Sequence, residues 1–129
     1  MSELAKFKEE MKIRTKRYAH QCVKFALALP QDQLGNHIRG QLTRCSTSVA
    51  ANYRASCNAL SVPVIIAKIS IAIEETDESE FWIEFAQDEN IIQDEVMAEK
   101  LRKEALEILA ILTKARHTLQ NMNKSNNLP

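Results

Sequence analysis

Three histidines, three cysteines and a dense run of carboxylates are the side chains of this 129-residue chain with intrinsic chemical reach. Metal chemistry on a helical scaffold needs ligands one turn apart, as in the Glu-x-x-His pairs of di-iron bundles. No Asp or Glu stands three residues before His20, His37 or His117, and the three fall in three different helical segments. Cys22, Cys45 and Cys57 are an odd set without Cys-x-x-Cys spacing, which favours neither a zinc site nor a disulfide framework. Each sits at an apolar-periodic position and reads as a buried reduced thiol. The two glycines are isolated, so no Gly-rich loop can cradle a phosphate, and no Gly-x-Ser-x-Gly elbow is present. Glu74, Glu75 and Glu78 could pair as acid and base only in environments that push their pKa values apart. A run of acids on a helix reads instead as a solvated face. The residues point to no catalytic site, no metal, no cofactor and no small-molecule substrate.

Basic residues carry a stronger hint. The net charge is zero, yet residues 1–60 hold 10 Lys/Arg against 4 Asp/Glu, a net of +6, and residues 61–129 hold 7 against 13, a net of −6. Almost all of the acidic excess lies between Glu74 and Glu89. Such asymmetry marks a nucleic-acid or protein contact surface, or an acidic helix that neutralises a basic neighbour. Lys12, Lys16, Arg17 and Lys24, with Arg39, Arg44 and Arg54 further along, are the candidate phosphate-neutralising residues. Tyr18 and Tyr53 are the nearby residues able to stack on bases, and both also fit core positions.

Four helices must position these groups. Two glycines and three prolines leave few chain-breakers, which favours long helices. Phe7, Met11, Arg14, Tyr18, Cys22, Phe25 and Leu29 recur at steps of three and four, predicting a helix over about 3–29 that ends before Pro30. Lys8, Lys12, Lys16, His20 and Lys24 step along its other side. Arg14 lies within the apolar stripe and is expected to meet a carboxylate. The second helix, about 34–59 with Asp32 as N-cap, has the inner stripe Leu34, Ile38, Leu42, Cys45, Val49, Asn52 or Tyr53, and Cys57. The small residues from Ser46 to Asn52 predict a close helix crossing.

Ser61-Val62-Pro63 opens the third helix, about 63–89, with proline where its missing N–H costs nothing. Its first half is apolar on more than one face, which predicts a second buried surface and hence a subunit interface. Asn90 suits a left-handed helix stop. The fourth helix, about 94–122, carries the heptad seam Leu101, Ala105, Ile108, Leu112, Ala115, Leu119 and Met122. Residues 123–129 read as a polar frayed tail. The expected architecture is an all-α, antiparallel, up-down-up-down four-helix bundle forming one domain over residues 1–122. The charged N-terminal MSELAKFKEE lacks a secretory pattern, and the stretch from Val62 to Ile73 is too short to span a bilayer, so a cytoplasmic protein without membrane contact is expected.

The strings RTKRYA (14–19), TSVAANYRASC (47–57) and IAKISIAIEETDESEFWIEF (66–85) resemble the bacterial four helix bundle proteins of ribosomal-RNA intervening sequences. Their relatives include the accessory variability determinants of diversity-generating retroelements. The resemblance runs from about Lys12 to Leu119. It implies a ring-like homopentamer of antiparallel four-helix protomers, with no enzymatic activity. The retroelement branch implies contact with a reverse transcriptase and with RNA or DNA through a basic surface. The segment 58–63 (NALSVP) departs from the family by carrying fewer Lys/Arg. On this reading the candidate oligomer interface comprises Arg14, Asn52, Tyr53, Ile65, Ile69, Glu75, Glu78 and Trp82. A protein-binding scaffold without a nucleic-acid role is the alternative, with Glu74–Glu84 and Trp82 at the contacts.

Overall fold

Each stop and start follows from a local conflict that the chain resolves with a specific side chain. In a computed structural model describing residues 1–126, the elements are α1 (Glu3–Leu27), α2 (Gln33–Asn58), α3 (Val62–Asp88) and α4 (Glu95–Asn126). The Ser2 hydroxyl accepts from the Ala5 N–H and opens α1. Pro30 denies helical geometry to Leu29, so α1 ends two residues before the expected boundary, in i to i−3 bonds from Ala28 to Phe25 and from Leu29 to Ala26. The Asp32 carboxylate accepts from Gly35 N–H at 2.8 Å and starts α2. Ser61 caps α3 with Pro63 in its first turn, and Asn90 stops it at φ 56°. Asp94 accepts from Met97 N–H at 2.9 Å, and α4 continues through Asn126, four residues past the expected end. Residues 127–129 of the expected tail lie outside the described residues.

Contacts run between chain neighbours, α1 with α2, α2 with α3 and α3 with α4, while α1 and α4 meet along a much narrower seam. The pairings are antiparallel: Arg102 reaches Glu80 and Glu84, and Arg116 reaches Ser70, so α4 rises as α3 descends. The chain is an all-α, up-down-up-down four-helix bundle. None of the described helices is long and apolar enough to cross a membrane.

Tyr18, Cys22, Ile38, Leu42, Cys45, Val49, Ile83, Leu101, Ala105, Ile108 and Leu112 form the centre of the core. Three positions depart from the stripes expected of them. Phe7 is 36% exposed. Cys57 is half-buried, unlike Cys22 and Cys45. The α4 seam is closed from Leu101 to Leu112 but opens beyond it, leaving Met122 51% exposed.

α3 is built inside out. Its buried side chains are Ile69, Ala72, Thr76, Ser79, Ile83 and Ala86, while Val64, Ile71, Phe81 and Phe85 are exposed. Small inner residues let α2 come close: Ser79 Oγ lies 3.2 Å from Cys45 Sγ, and Ser46 is fully buried nearby. The close crossing expected of the small-residue stretch is thus made at Cys45–Ser46. Asn52, by contrast, turns its amide back onto Ser48 of its own helix.

The two glycines have opposite roles. A Cβ on Gly40 would meet nothing within 4 Å. Gly40→Ala should therefore stabilise the protein by about 0.5–1 kcal/mol through backbone entropy alone. A shift of the urea midpoint to higher concentration at unchanged m-value would establish this, and a lowered midpoint would contradict it.

Candidate functional site

Sequence singled out seven cations, and the bundle divides them into two groups. Arg39 and Arg44 are consumed internally. Arg39 donates to the carbonyls of Ala26, Leu29 and Pro30, tying the freed end of α1 to α2. Arg44 pairs with Glu75 at 2.9 Å and with Glu78, holding α2 to α3. Both guanidiniums therefore tie parts of the bundle together, unlike the other five candidate cations. Register across helices decided this, and one strand of sequence does not contain it.

The other five share one face. Lys12 and Lys16 from α1 stand opposite Arg54 of α2 across a groove of about 380 Å³, floored by Ala50 and Ala51 and flanked by Ile13. A second groove of about 440 Å³ continues along α1 past Arg17, His20, Gln21 and Lys24. Among the described residues, Lys12 makes an i,i+3 pair with Glu9, while Lys16, Arg17, Lys24 and Arg54 make no ion pair. An exposed pair one turn apart is weak and leaves Lys12 available. Alanines at 50 and 51, from the small-residue stretch, leave this groove open between Lys12 and Lys16 on one side and Arg54 on the other. Ile13 and Gln21 had escaped notice, although their spacing with Lys16, Arg17 and Lys24 places all of them on one helical surface.

The expected interface residues also separate. Tyr53 and Ile69 lie in the core at 3% and 4% exposure and cannot face a partner. Arg14 meets the carboxylate foreseen for it, but within the chain: Nε and Nη2 reach the two Glu104 oxygens at 2.8 and 2.7 Å, and Nη2 also reaches Glu107. Asn52 and Ile65 are half-buried. Glu75 and Glu78 are held by Arg44, and Trp82 Nε1 donates to Glu78 at 3.3 Å. Around Trp82 gather Phe81 at 4.9 Å, Phe85 at 5.9 Å and His37 at 5.4 Å between ring centroids. Exposed Val64, Ile71, Phe81 and Phe85, with Ala67, Glu74 and Glu78 between, follow a three-four spacing down the outside of α3. That spacing was readable in the sequence; which of the two apolar faces turned outward was not.

The acidic helix neutralises part of its surroundings. Beyond the Arg44 pairs, Glu80 and Glu84 hold Arg102 of α4 at 2.8 and 2.7 Å. Between the basic and acidic halves, ion pairs run only from Arg44 to Glu75 and Glu78 and from Arg14 to Glu104 and Glu107 among the described residues, so most of the charge asymmetry persists, and on the basic side it gathers on the α1–α2 face.

Titration behaviour follows from these partners. The hydrogen bond from Arg14 holds the Glu104 carboxyl below its usual range, against burial, with the charges of Arg14 and Arg17 acting in the same direction. The folded state thus binds this proton less readily than the unfolded chain, whose glutamates titrate near about 4.3. The resulting stability is complete above that pH and is lost as pH falls through the lowered folded value. Thermal melts should show a drop below about pH 4.3 that is shallower in Glu104→Gln. Identical acid limbs in both proteins would contradict the assignment.

The buried sulfurs are unsuited to reaction. Burial pushes the Cys22 thiol up to about 12 and the Cys45 thiol up to about 11. Nucleophilic attack requires thiolate. Native protein should consume one equivalent of a thiol reagent, at Cys57, and three after denaturation; rapid labelling of Cys22 or Cys45 in native protein would overturn this. Among the described residues no three His, Cys, Asp or Glu side chains converge to hold a metal ion. His117 instead contacts Asn121, and His20 lines the basic groove.

Comparison with known proteins places this geometry among relatives. A family model described as 23S rRNA-intervening sequence protein matches residues 9–114. A solved structure from Bacteroides thetaiotaomicron, described as a protein of unknown function from the S23 ribosomal protein family, superposes with a TM-score of 0.74 at 28% identity. The match covers 81% of this chain and 96% of that one. No functionally curated protein matches the sequence.

Proposed function

The chain belongs to the 23S rRNA-intervening sequence protein family, and we propose that it acts without catalysis, as a homo-oligomer that presents a basic surface to nucleic acid. The observation that carries this reading is the clustering of cations that make no ion pair among the described residues, Lys16, Arg17, Lys24 and Arg54, around two adjoining grooves. The outer stripe of α3 supports self-association, since Val64, Ile71, Phe81 and Phe85 offer a second apolar face that one bundle leaves uncovered. Its position away from α1 leaves the basic groove open in an assembly. The resemblance to the retroelement accessory proteins supports a ring-like pentamer and a nucleic-acid-processing partner such as a reverse transcriptase.

Two measurements test this. Light scattering at micromolar concentration should give a mass several times 14.7 kDa, reduced by Ile71→Lys combined with Phe81→Lys; a wild-type monomer would sink the oligomer. Binding of labelled nucleic acid should weaken steeply with salt, and no binding at low salt would sink the nucleic-acid role.

A scaffold that binds protein alone is favoured by one feature, the exposed Phe81 and Phe85 gathered around half-buried Trp82. A protein partner recovered from the source cell after nuclease treatment, and lost on Phe85→Lys, would support that alternative.

A further inference from the structure

The basic face has a composition that discriminates among nucleic acids. Proteins that hold single strands combine cations with aromatic platforms on which bases stack. Here Tyr18 and Tyr53 are buried, and Phe81, Trp82 and Phe85 belong to α3, which lies across the bundle from α1. Phe7 continues the Met11–Tyr18 stripe and does not share the ridge. The ridge itself offers cations, one exposed aliphatic side chain (Ile13, 56% exposed) and two groups with acceptor as well as donor capacity, His20 and Gln21. Phosphates take only donors. Acceptors interleaved with cations suit a ligand that presents hydroxyls between its phosphates.

Shape agrees. Lys12 to Lys24 spans about 18 Å of helix at 1.5 Å per residue, and Arg54 stands off to one side of it. α1 is flanked by α2 and α4, so the surface is a shallow face and not a free rod that could enter a major groove. The RNA double helix displays 2′-hydroxyls across a wide, shallow minor groove bordered by phosphates, and is recognised by shape.

From these features we infer that the α1–α2 face binds double-helical RNA, with Lys12, Lys16, Arg17, Lys24 and Arg54 on phosphates and His20 and Gln21 on 2′-hydroxyls, without reading bases. This rests on the nucleic-acid reading above and narrows it to one class of ligand. Contacts confined to phosphates and 2′-hydroxyls carry no sequence information, so binding is independent of sequence.

Fluorescence anisotropy with the full chain distinguishes the possibilities, using a 20-base-pair RNA duplex, a DNA duplex of the same sequence and an unpaired RNA strand of the same length. The RNA duplex should bind at least about tenfold tighter than the other two. Its affinity should fall by roughly 500-fold between 50 and 200 mM salt, as about five neutralised phosphates require. Lys16→Glu with Arg54→Glu should abolish binding of every probe, and these exposed substitutions should leave the circular-dichroism melt unchanged. His20→Ala with Gln21→Ala should shrink the gap between RNA and DNA duplexes while leaving DNA affinity in place. Equal affinity for the two duplexes, or tighter binding of the single strand, would overturn this inference and leave the nucleic-acid reading standing. Failure of all three probes at 50 mM salt would overturn both.

Discussion

Gly35→Ala is expected to cost about 1–3 kcal/mol, enough to lower the melting temperature by roughly 3–10 °C in a domain of this size. Two effects of opposite sign compete at this position. Alanine is favoured over glycine inside a helix by up to about 1 kcal/mol. Against that, a Cβ built on Gly35 would lie 1.8 Å from the Pro30 carbonyl oxygen and 2.8 Å from its carbon. Those are backbone atoms, so no rotamer change relieves the overlap; the α1–α2 connection itself must move. That connection is pinned, since Arg39 holds the carbonyls of Ala26, Leu29 and Pro30 and Asp32 holds Gly35 N–H. The steric effect should win. Chemical denaturation measured beside Gly40→Ala makes the comparison internal: the two glycines should shift the midpoint in opposite directions. A Gly35→Ala protein as stable as wild type would show that the connection yields freely.

Leu112→Ala should be costlier still, about 2–5 kcal/mol, because it removes a fully buried side chain and leaves a cavity that the surrounding helices fill only in part. Leu112 is the last fully closed position of the α4 seam, packed in the same core as Ile108 and Leu101. Met122 continues the same heptad, yet is half exposed. Met122→Ala should change the stability of the protomer by less than about 0.5 kcal/mol, as exposed sites do. Denaturant titrations at low protein concentration check both. Similar losses at the two positions would mean that the seam stays buried to its end, through contacts beyond one chain.

Much of this architecture was readable in the residues, for physical reasons that differ by element. Asp32, Ser61 and Asn90 marked helix ends because capping depends on local bonds within three or four residues. Arg14 announced a carboxylate partner by standing in an apolar stripe, where an unpaired charge is untenable. The phase of α3 was hidden. A helix apolar on two sides has no preferred rotation from periodicity, and the packing demand of α2 for small residues at Ala72, Thr76 and Ser79 decided which face went in. For the same reason Ile69 entered the core while Ile71 and Phe81 stayed out. Tyr53 was ambiguous with Asn52 for a related reason, since adjacent residues differ by about 100° and both border the stripe. The partners of Arg39 and Arg44 were hidden because they lie on other elements, the end of α1 for Arg39 and α3 for Arg44, at registers that spacing within one helix does not specify. Lys16, Arg17, Lys24 and Arg54 needed no such information; their shared face emerges from one helix and its nearest neighbour.

The narrow meeting of α1 with α4 has a kinetic consequence. Nearly all tertiary contacts join helices adjacent in the chain, so the mean loop that must close is short, and folding should fall toward the rapid, helical end of the two-state range. Joining α1 to α4 closes the longest loop of the chain, some ninety residues between Arg14 and Glu104, for the smallest packing return. That step should come last on the folding path and first on the way out. Arg14 substitutions would then accelerate unfolding while leaving the folding rate nearly untouched. The first and fourth helices are thus fastened by a late-forming electrostatic clasp.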